Sequence, residues 1–202
     1  MSIEPLLNDK INSIIELFSS GHKTEALNNI KSLIDQHPNE SLLHNIGGVC
    51  YKSTGQLEMA VKCFERALEI KPDFADAHYN LGLTFQELDQ LDSAVKSYKK
   101  TLEIQANYAK AYNNLGIIYK ELGHMNDAVK SYEEALSHQP DFAEALNNLG
   151  NILTEMGKLD EAIKSYNQAL VIEPNYIEVH NNLGNLLNDL GELDEAVEHY
   201  KK

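Results

Sequence analysis

Tryptophan is absent from this 202-residue chain, cysteine occurs twice, and 17 basic residues face 31 acidic ones, for a formal net charge of −14. The deficit of cations removes the sequence-independent attraction that phosphate backbones and anionic lipids exert. Neither nucleic acid nor a membrane is therefore expected as a partner, and a neutral-to-basic polypeptide suits the charge better. Cys50 and Cys63 carry no CxxC or nearby Cys/His spacing, which leaves reduced, packed thiols as their expected state. No apolar run is long enough to span a bilayer, and the opening "MSIEPLLNDK" lacks the basic and apolar regions of a signal peptide. A cytoplasmic location is the expectation.

The few prolines and glycines that remain are placed periodically. Pro38, Pro72, Pro140 and Pro174 fall on one 34-residue series whose remaining internal member is Ala106. They divide the chain into repeats 7–40, 41–74, 75–108, 109–142 and 143–176 and a partial repeat 177–202, expected to form one array over 1–202. Numbering each repeat from 1 to 34, every glycine but Gly47 lies at position 8 or position 15. At position 15 it follows one helical apolar pattern and precedes another, where the left-handed conformation that ends a helix suits glycine. At position 8 it interrupts a helix, at a cost of ~1 kcal/mol relative to alanine, so close packing must repay it. Position 20 is alanine in all six repeats, from Ala26 to Ala196, and is the expected counterpart. Each repeat reads as an antiparallel helix pair with two apolar faces, so neighbours must stack.

Repeat 4 runs Tyr112-x2-Leu115-Gly116-x2-Tyr119, then Ala128-x3-Tyr132 and Pro140. This pattern resembles the tetratricopeptide repeat (TPR) family. The resemblance implies an all-α, right-handed TPR α-solenoid of antiparallel helix pairs whose first helices line a concave groove. Departures are local: Ile14 replaces the first position-8 glycine, Asp89 a turn glycine and Ala106 a proline. The same hairpins are expected there, with a less defined turn between repeats 3 and 4.

On the first helix of each repeat, positions 4, 7, 8 and 11 form the packing face and 2, 5, 6, 9, 12 and 13 centre opposite it. Position 6 carries Asn80, Asn114, Asn148 and Asn182; position 5 adds Asn113, Asn147 and Asn181; position 9 adds Asn151 and Asn185. A primary amide both donates and accepts, so a row of them could read an extended peptide backbone whatever its side chains. The competing reading is that the amides bond one another as structural glue. The ladder is similar to that in the TPR superhelix of O-linked N-acetylglucosamine transferases, a resemblance that implies polypeptide binding. Ile15, Phe18, Ile46, Val49, Leu83 and Ile117 give the N-terminal part of the face an apolar zone, suited to a hydrophobic side chain or equally to packing. Glu87, Glu121, Glu155 and Asp189 at position 13 disfavour acidic ligands, and the basic clamp of chaperone-binding TPR domains is missing.

No catalytic motif occurs, and no cofactor or metal site is expected. His44, His78 and His180 share position 4, a bulky packing slot, one repeat apart. The first reading is thus a non-catalytic scaffold binding an extended polypeptide. A second makes the chain the N-terminal substrate-recruiting arm of a larger transferase or oxygenase. A third is self-assembly through the final helix, which stops at position 26 without a polar cap and would suit a homo-oligomer.

Overall fold

The computed structural model describes the backbone from Pro5 and the side chains from Leu6 onward. Among the described residues there are twelve helices and no strand. They fall into two compact units, Met1–Ala106 and Asn107–Lys202. Unit 1 contains α1 (Pro5–Ser19), α2 (Lys23–Gln36), α3 (Ser41–Ser53), α4 (Leu57–Ile70), α5 (Ala75–Glu87) and α6 (Leu91–Ile104). Unit 2 contains α7 (Ala109–Glu121), α8 (Met125–His138), α9 (Ala143–Glu155), α10 (Leu159–Ile172), α11 (Ile177–Asp189) and α12 (Leu193–Tyr200). Each unit is an all-α stack of antiparallel helix pairs, as the repeat register requires.

The turn within each pair is made as expected. Gly123 has φ +76°, and the amides of Gly123 and His124 bond back to the carbonyls of Lys120 and Tyr119, closing α7. Asp89 takes the same left-handed conformation at φ 58° and keeps the turn that glycine makes elsewhere. The missing proline changes no boundary: α6 ends at Ile104 and α7 begins at Ala109, leaving the same spacing as between Ile70 and Ala75. The division between the two compact units nevertheless falls directly after Ala106.

The position-8 glycines pack against a different partner from the one the sequence suggests. A β-carbon built on Gly116 or Gly150 would lie 2.5 Å from the ring of Tyr132 or Tyr166, at position 24. Gly48, Gly82 and Gly184 likewise face Phe64, Tyr98 and Tyr200. The alanines of position 20 are almost wholly buried, but the atom that excludes a side chain at position 8 belongs to the aromatic ring. Repeat 1 resolves the same space differently. Ile14 stands in the glycine's place and Ile30 in the ring's, both buried, so bulk moves from one helix to the other.

Position 4 also has a defined task. The Nε2 atoms of His44, His78 and His180 lie 2.9, 3.0 and 3.0 Å from the carbonyls of Pro38, Pro72 and Pro174. A carbonyl only accepts, so each imidazole carries its proton on Nε2 and ties the preceding inter-repeat turn to the helix that follows.

Candidate functional site

The asparagines divide into two classes. Asn113 and Asn147 are 1% exposed, which removes both from the groove surface assigned to them by helical periodicity. The reason is the next repeat, whose first helix covers position 5. Asn113 Nδ2 donates to Glu144 Oε1 at 3.1 Å, and Asn147 Nδ2 donates to Glu178 Oε1 at 2.9 Å. A carboxylate cannot donate, so these contacts fix which end of each amide is nitrogen. The oxygen ends then accept from the following position-6 residue: Asn148 Nδ2 reaches Asn113 Oδ1 and Asn182 Nδ2 reaches Asn147 Oδ1, each at 3.0 Å. Two amides and a carboxylate thus stitch adjacent repeats together.

This geometry decides what position 6 can offer. With their nitrogens turned inward, Asn148 and Asn182 present Oδ1, and among the described residues nothing donates to either oxygen. Both residues are half-buried, as are Asn80 and Asn114. Asn80 repeats the arrangement in unit 1, its Nδ2 donating to Asn45 Oδ1 at 3.0 Å. Asn181, in the last repeat, is exposed.

Position 9 serves a different end. Asn151 Oδ1 accepts from the Tyr166 hydroxyl at 2.8 Å and from Asn182 Nδ2 at 2.9 Å, while Asn185 Oδ1 accepts from the Tyr200 hydroxyl at 2.9 Å. These amides fix the hydroxyl ends of the rings that pack on Gly150 and Gly184. Burial raises the Tyr166 pKa above the ordinary tyrosine value, partly countered by its hydrogen bond with Thr154.

In unit 2, Asn151, Tyr166, Asn182 and Asn185 line a cleft of about 310 Å³ together with Lys120, Glu155, Glu178 and Asp189. Lys120 Nζ pairs with Glu155 at 2.6 Å, so three carboxylates are met by one cation. In unit 1, Lys52 pairs with Glu87 in the same way. Such partly exposed pairs contribute at most about 1 kcal/mol and leave the cleft's sign negative.

The apolar zone is more core than surface. Phe18, Ile46 and Val49 pack against the core of unit 1, and Ile117 against that of unit 2. Leu83 is half-buried, and Ile15 alone of the six is exposed, at 47%.

Glu144 and Glu178 are the members of this amide network that periodicity overlooks. A signal was available at a spacing of 31. The position-5 residue and the next repeat's position-2 residue are Asn113 with Glu144 and Asn147 with Glu178, but Tyr79 with Lys110. No group of three or more His, Cys, Asp or Glu suited to a metal occurs among the described residues, and no helix there is long and apolar enough to cross a membrane.

Residues 48–89 and 150–188 match a family model described as TPR repeat. Residues 73–141, 131–164 and 177–202 match further models described as tetratricopeptide repeat. No curated protein matches the chain. Among solved structures, it is similar to Pseudomonas aeruginosa pilF at 27% identity and TM-score 0.74, covering 80% of this chain and 73% of that one. It is similar to MamA at 25% identity and TM-score 0.70, covering 76% and 90%. YrrB, a TPR protein with an unusual peptide-binding site, shares the fold at 20% identity and TM-score 0.68, covering 84% and 88%. By its repeat register, its glycine-on-ring hairpins and these matches, the chain belongs to the tetratricopeptide repeat family.

Proposed function

We propose that the chain is a non-catalytic scaffold that binds extended, neutral-to-basic polypeptide along the position-6 asparagines of each unit, Asn80 in unit 1 and Asn114, Asn148 and Asn182 in unit 2. The observation that carries this reading is the fixed direction of the amides. The nitrogens of Asn80, Asn148 and Asn182 are committed to the repeat stack, and their oxygens accept nothing from the described residues. A row of oriented acceptors suits the N–H groups of a strand-like main chain, each contact contributing about 0.5–1.5 kcal/mol net. Ordering a flexible peptide offsets much of that sum, so binding is weak and tolerant of side chains. The acidic cleft in unit 2 adds a preference for lysine or arginine over glutamate in the ligand. That the fold can carry such a site is consistent with YrrB, whose description includes peptide binding.

Fluorescence anisotropy with three labelled extended peptides of equal length, one lysine-rich, one neutral and one glutamate-rich, tests the reading. Affinity is expected to fall in that order, and the double variant Asn148→Ala/Asn182→Ala is expected to lose about tenfold or more for the first two. Thermal unfolding of the same variant separates lost binding from lost structure. Equal affinity for all three peptides, or unchanged binding by a folded variant, would reject it.

A further inference from the structure

Unit 1 holds a cleft of about 270 Å³ between α2, α3 and α4 whose charge is the reverse of the chain's. Its floor is apolar: Tyr51 is buried, and Ile34 and Cys63 are half-buried. Its rim carries the exposed cations Lys31, Lys62 and Arg66, and Asp35 is the only carboxylate among the lining residues. No lining residue shares a register position with those of the acidic cleft in unit 2, so the two clefts belong to different faces of the repeat.

The excess of cations is specific to this junction. The four charged residues occupy positions 25 and 29 of repeat 1 and positions 22 and 26 of repeat 2. At the same positions, repeats 2 and 3 carry Glu65 and Glu69 with Lys96 and Lys100, and repeats 3 and 4 carry Lys99 and Lys130 with Glu103 and Glu134. Repeats 4 and 5 set Glu133 against Lys164, and repeats 5 and 6 set Glu198 against Lys202. The charges thus cancel at every later junction, whereas the first has three cations and one anion. The protein itself makes little use of them. Among the described residues no ion pair holds Lys31 or Lys62, and Lys31 Nζ lies 5.0 Å from the centre of the Tyr51 ring. Arg66 Nη1 donates to Glu69 at 2.8 Å, but both side chains are exposed, and such pairs yield readily to a competing anion.

The chemistry of the cleft describes its occupant. Two ammonium groups and a guanidinium offer donors alone, so the ligand must bring anionic oxygens, and the floor between them suits a side chain without polar atoms. At physiological ionic strength the Debye length is about 8 Å, so most of the chain's acidic residues are screened from a ligand in the cleft while groups in contact are not. We propose that this cleft docks an acidic segment of a partner polypeptide, its carboxylates on Lys31 and Lys62 and an aliphatic side chain between them over Ile34 and Tyr51. It is a second contact surface, opposite in charge preference to the asparagine groove and independent of it.

Fluorescence anisotropy of the full chain with short labelled peptides tests the proposal. The probe places one leucine between glutamates, and two comparison peptides replace the leucine by serine or the glutamates by glutamine. Saturable binding of the probe is expected, weakened about tenfold or more by glutamine and at least a few-fold by serine. Lys31→Glu/Lys62→Glu alters two exposed side chains and should abolish saturation, with thermal unfolding showing that the variant is folded. Asn148→Ala/Asn182→Ala should bind the probe as the parent chain does. No saturable binding, binding unchanged in the folded Lys31→Glu/Lys62→Glu variant, or displacement of the probe by an oligouridylate that binds more tightly would each overturn the proposal. Self-association of the chain that is lost in the same variant would make a second copy the occupant and overturn it equally.

Discussion

Units 1 and 2 are built on the same hairpin, yet they hold their repeats together differently. In unit 1, Asn80 meets Asn45, and the residue at position 2 of repeat 3 is Asp76, one carbon shorter than glutamate. In unit 2, Glu144 and Glu178 at that position reach Asn113 and Asn147 and fix the whole chain of amides. Unit 1 instead places Ile46, Val49 and Phe85 along its core's edge. The difference shows that an asparagine at a solvent-side position can be a joint between repeats, tighter or looser depending on what the next repeat brings.

The largest effect should come from the packing that the two units share. Gly150→Val drives a side chain into the Tyr166 ring and should cost about 3 kcal/mol or more in urea unfolding, beyond the usual range of overpacking. The double change Gly150→Ile/Tyr166→Ile copies the Ile14 and Ile30 solution of repeat 1 and should recover at least half of that loss. Next comes the contrast itself. Asn147→Ala removes the amide partner of Glu178 and one of the two partners of Asn182 and should cost about 1–3 kcal/mol, whereas Asn45→Ala, with one amide partner, should cost about 0.5–1.5 kcal/mol. Equal losses would erase the distinction between the units.

Two smaller effects concern titratable groups, one in each unit. Burial pushes the thiols of Cys50 and Cys63 in unit 1 up to about 11. Little thiolate then exists near neutral pH, and iodoacetamide should label both slowly, half-buried Cys63 before buried Cys50, which should react only as fast as unit 1 opens. In unit 2, His180 Nε2 donates to Pro174, so its Nδ1 accepts from His199 Nδ1 at 2.8 Å. Burial first, then His180, lowers the His199 pKa. Because the unfolded chain takes up this proton more readily, the stability it contributes is present above the unfolded value of about 6.5 and is lost as pH falls below it. A small drop in thermal midpoint between about pH 7.5 and about pH 5.5 is expected, and it should vanish in His199→Gln.

Much of this architecture was legible in one sequence because the repeat samples each position several times. Glycine at positions 8 and 15 announced a close contact and a turn, and both exist. Periodicity could not say that the close contact is with Tyr132 or Tyr166 rather than with Ala128 or Ala162, because it gives directions on one helix and not the pairing of two. It assigned Asn113 and Asn147 to the open face for the same reason: a single helix cannot show that its neighbour's Glu144 or Glu178 arrives to cover it. The amides do bond one another along the stack, as the glue reading has it, at Asn45 with Asn80, Asn113 with Asn148 and Asn147 with Asn182, and the reading of position 6 as a peptide contact stays a proposal. The role of His44, His78 and His180 was hidden because a backbone carbonyl leaves no mark in the sequence.

The central claim is that the position-6 asparagines bind through acceptors aimed at main-chain N–H groups. Its most direct measurement compares the lysine-rich extended peptide with versions N-methylated at alternate backbone positions, which remove donors while keeping charge and side chains. One methylation register should weaken binding by about tenfold or more and the other much less, because alternate N–H groups of a strand point to opposite sides. Equal binding of all the peptides would contradict the account.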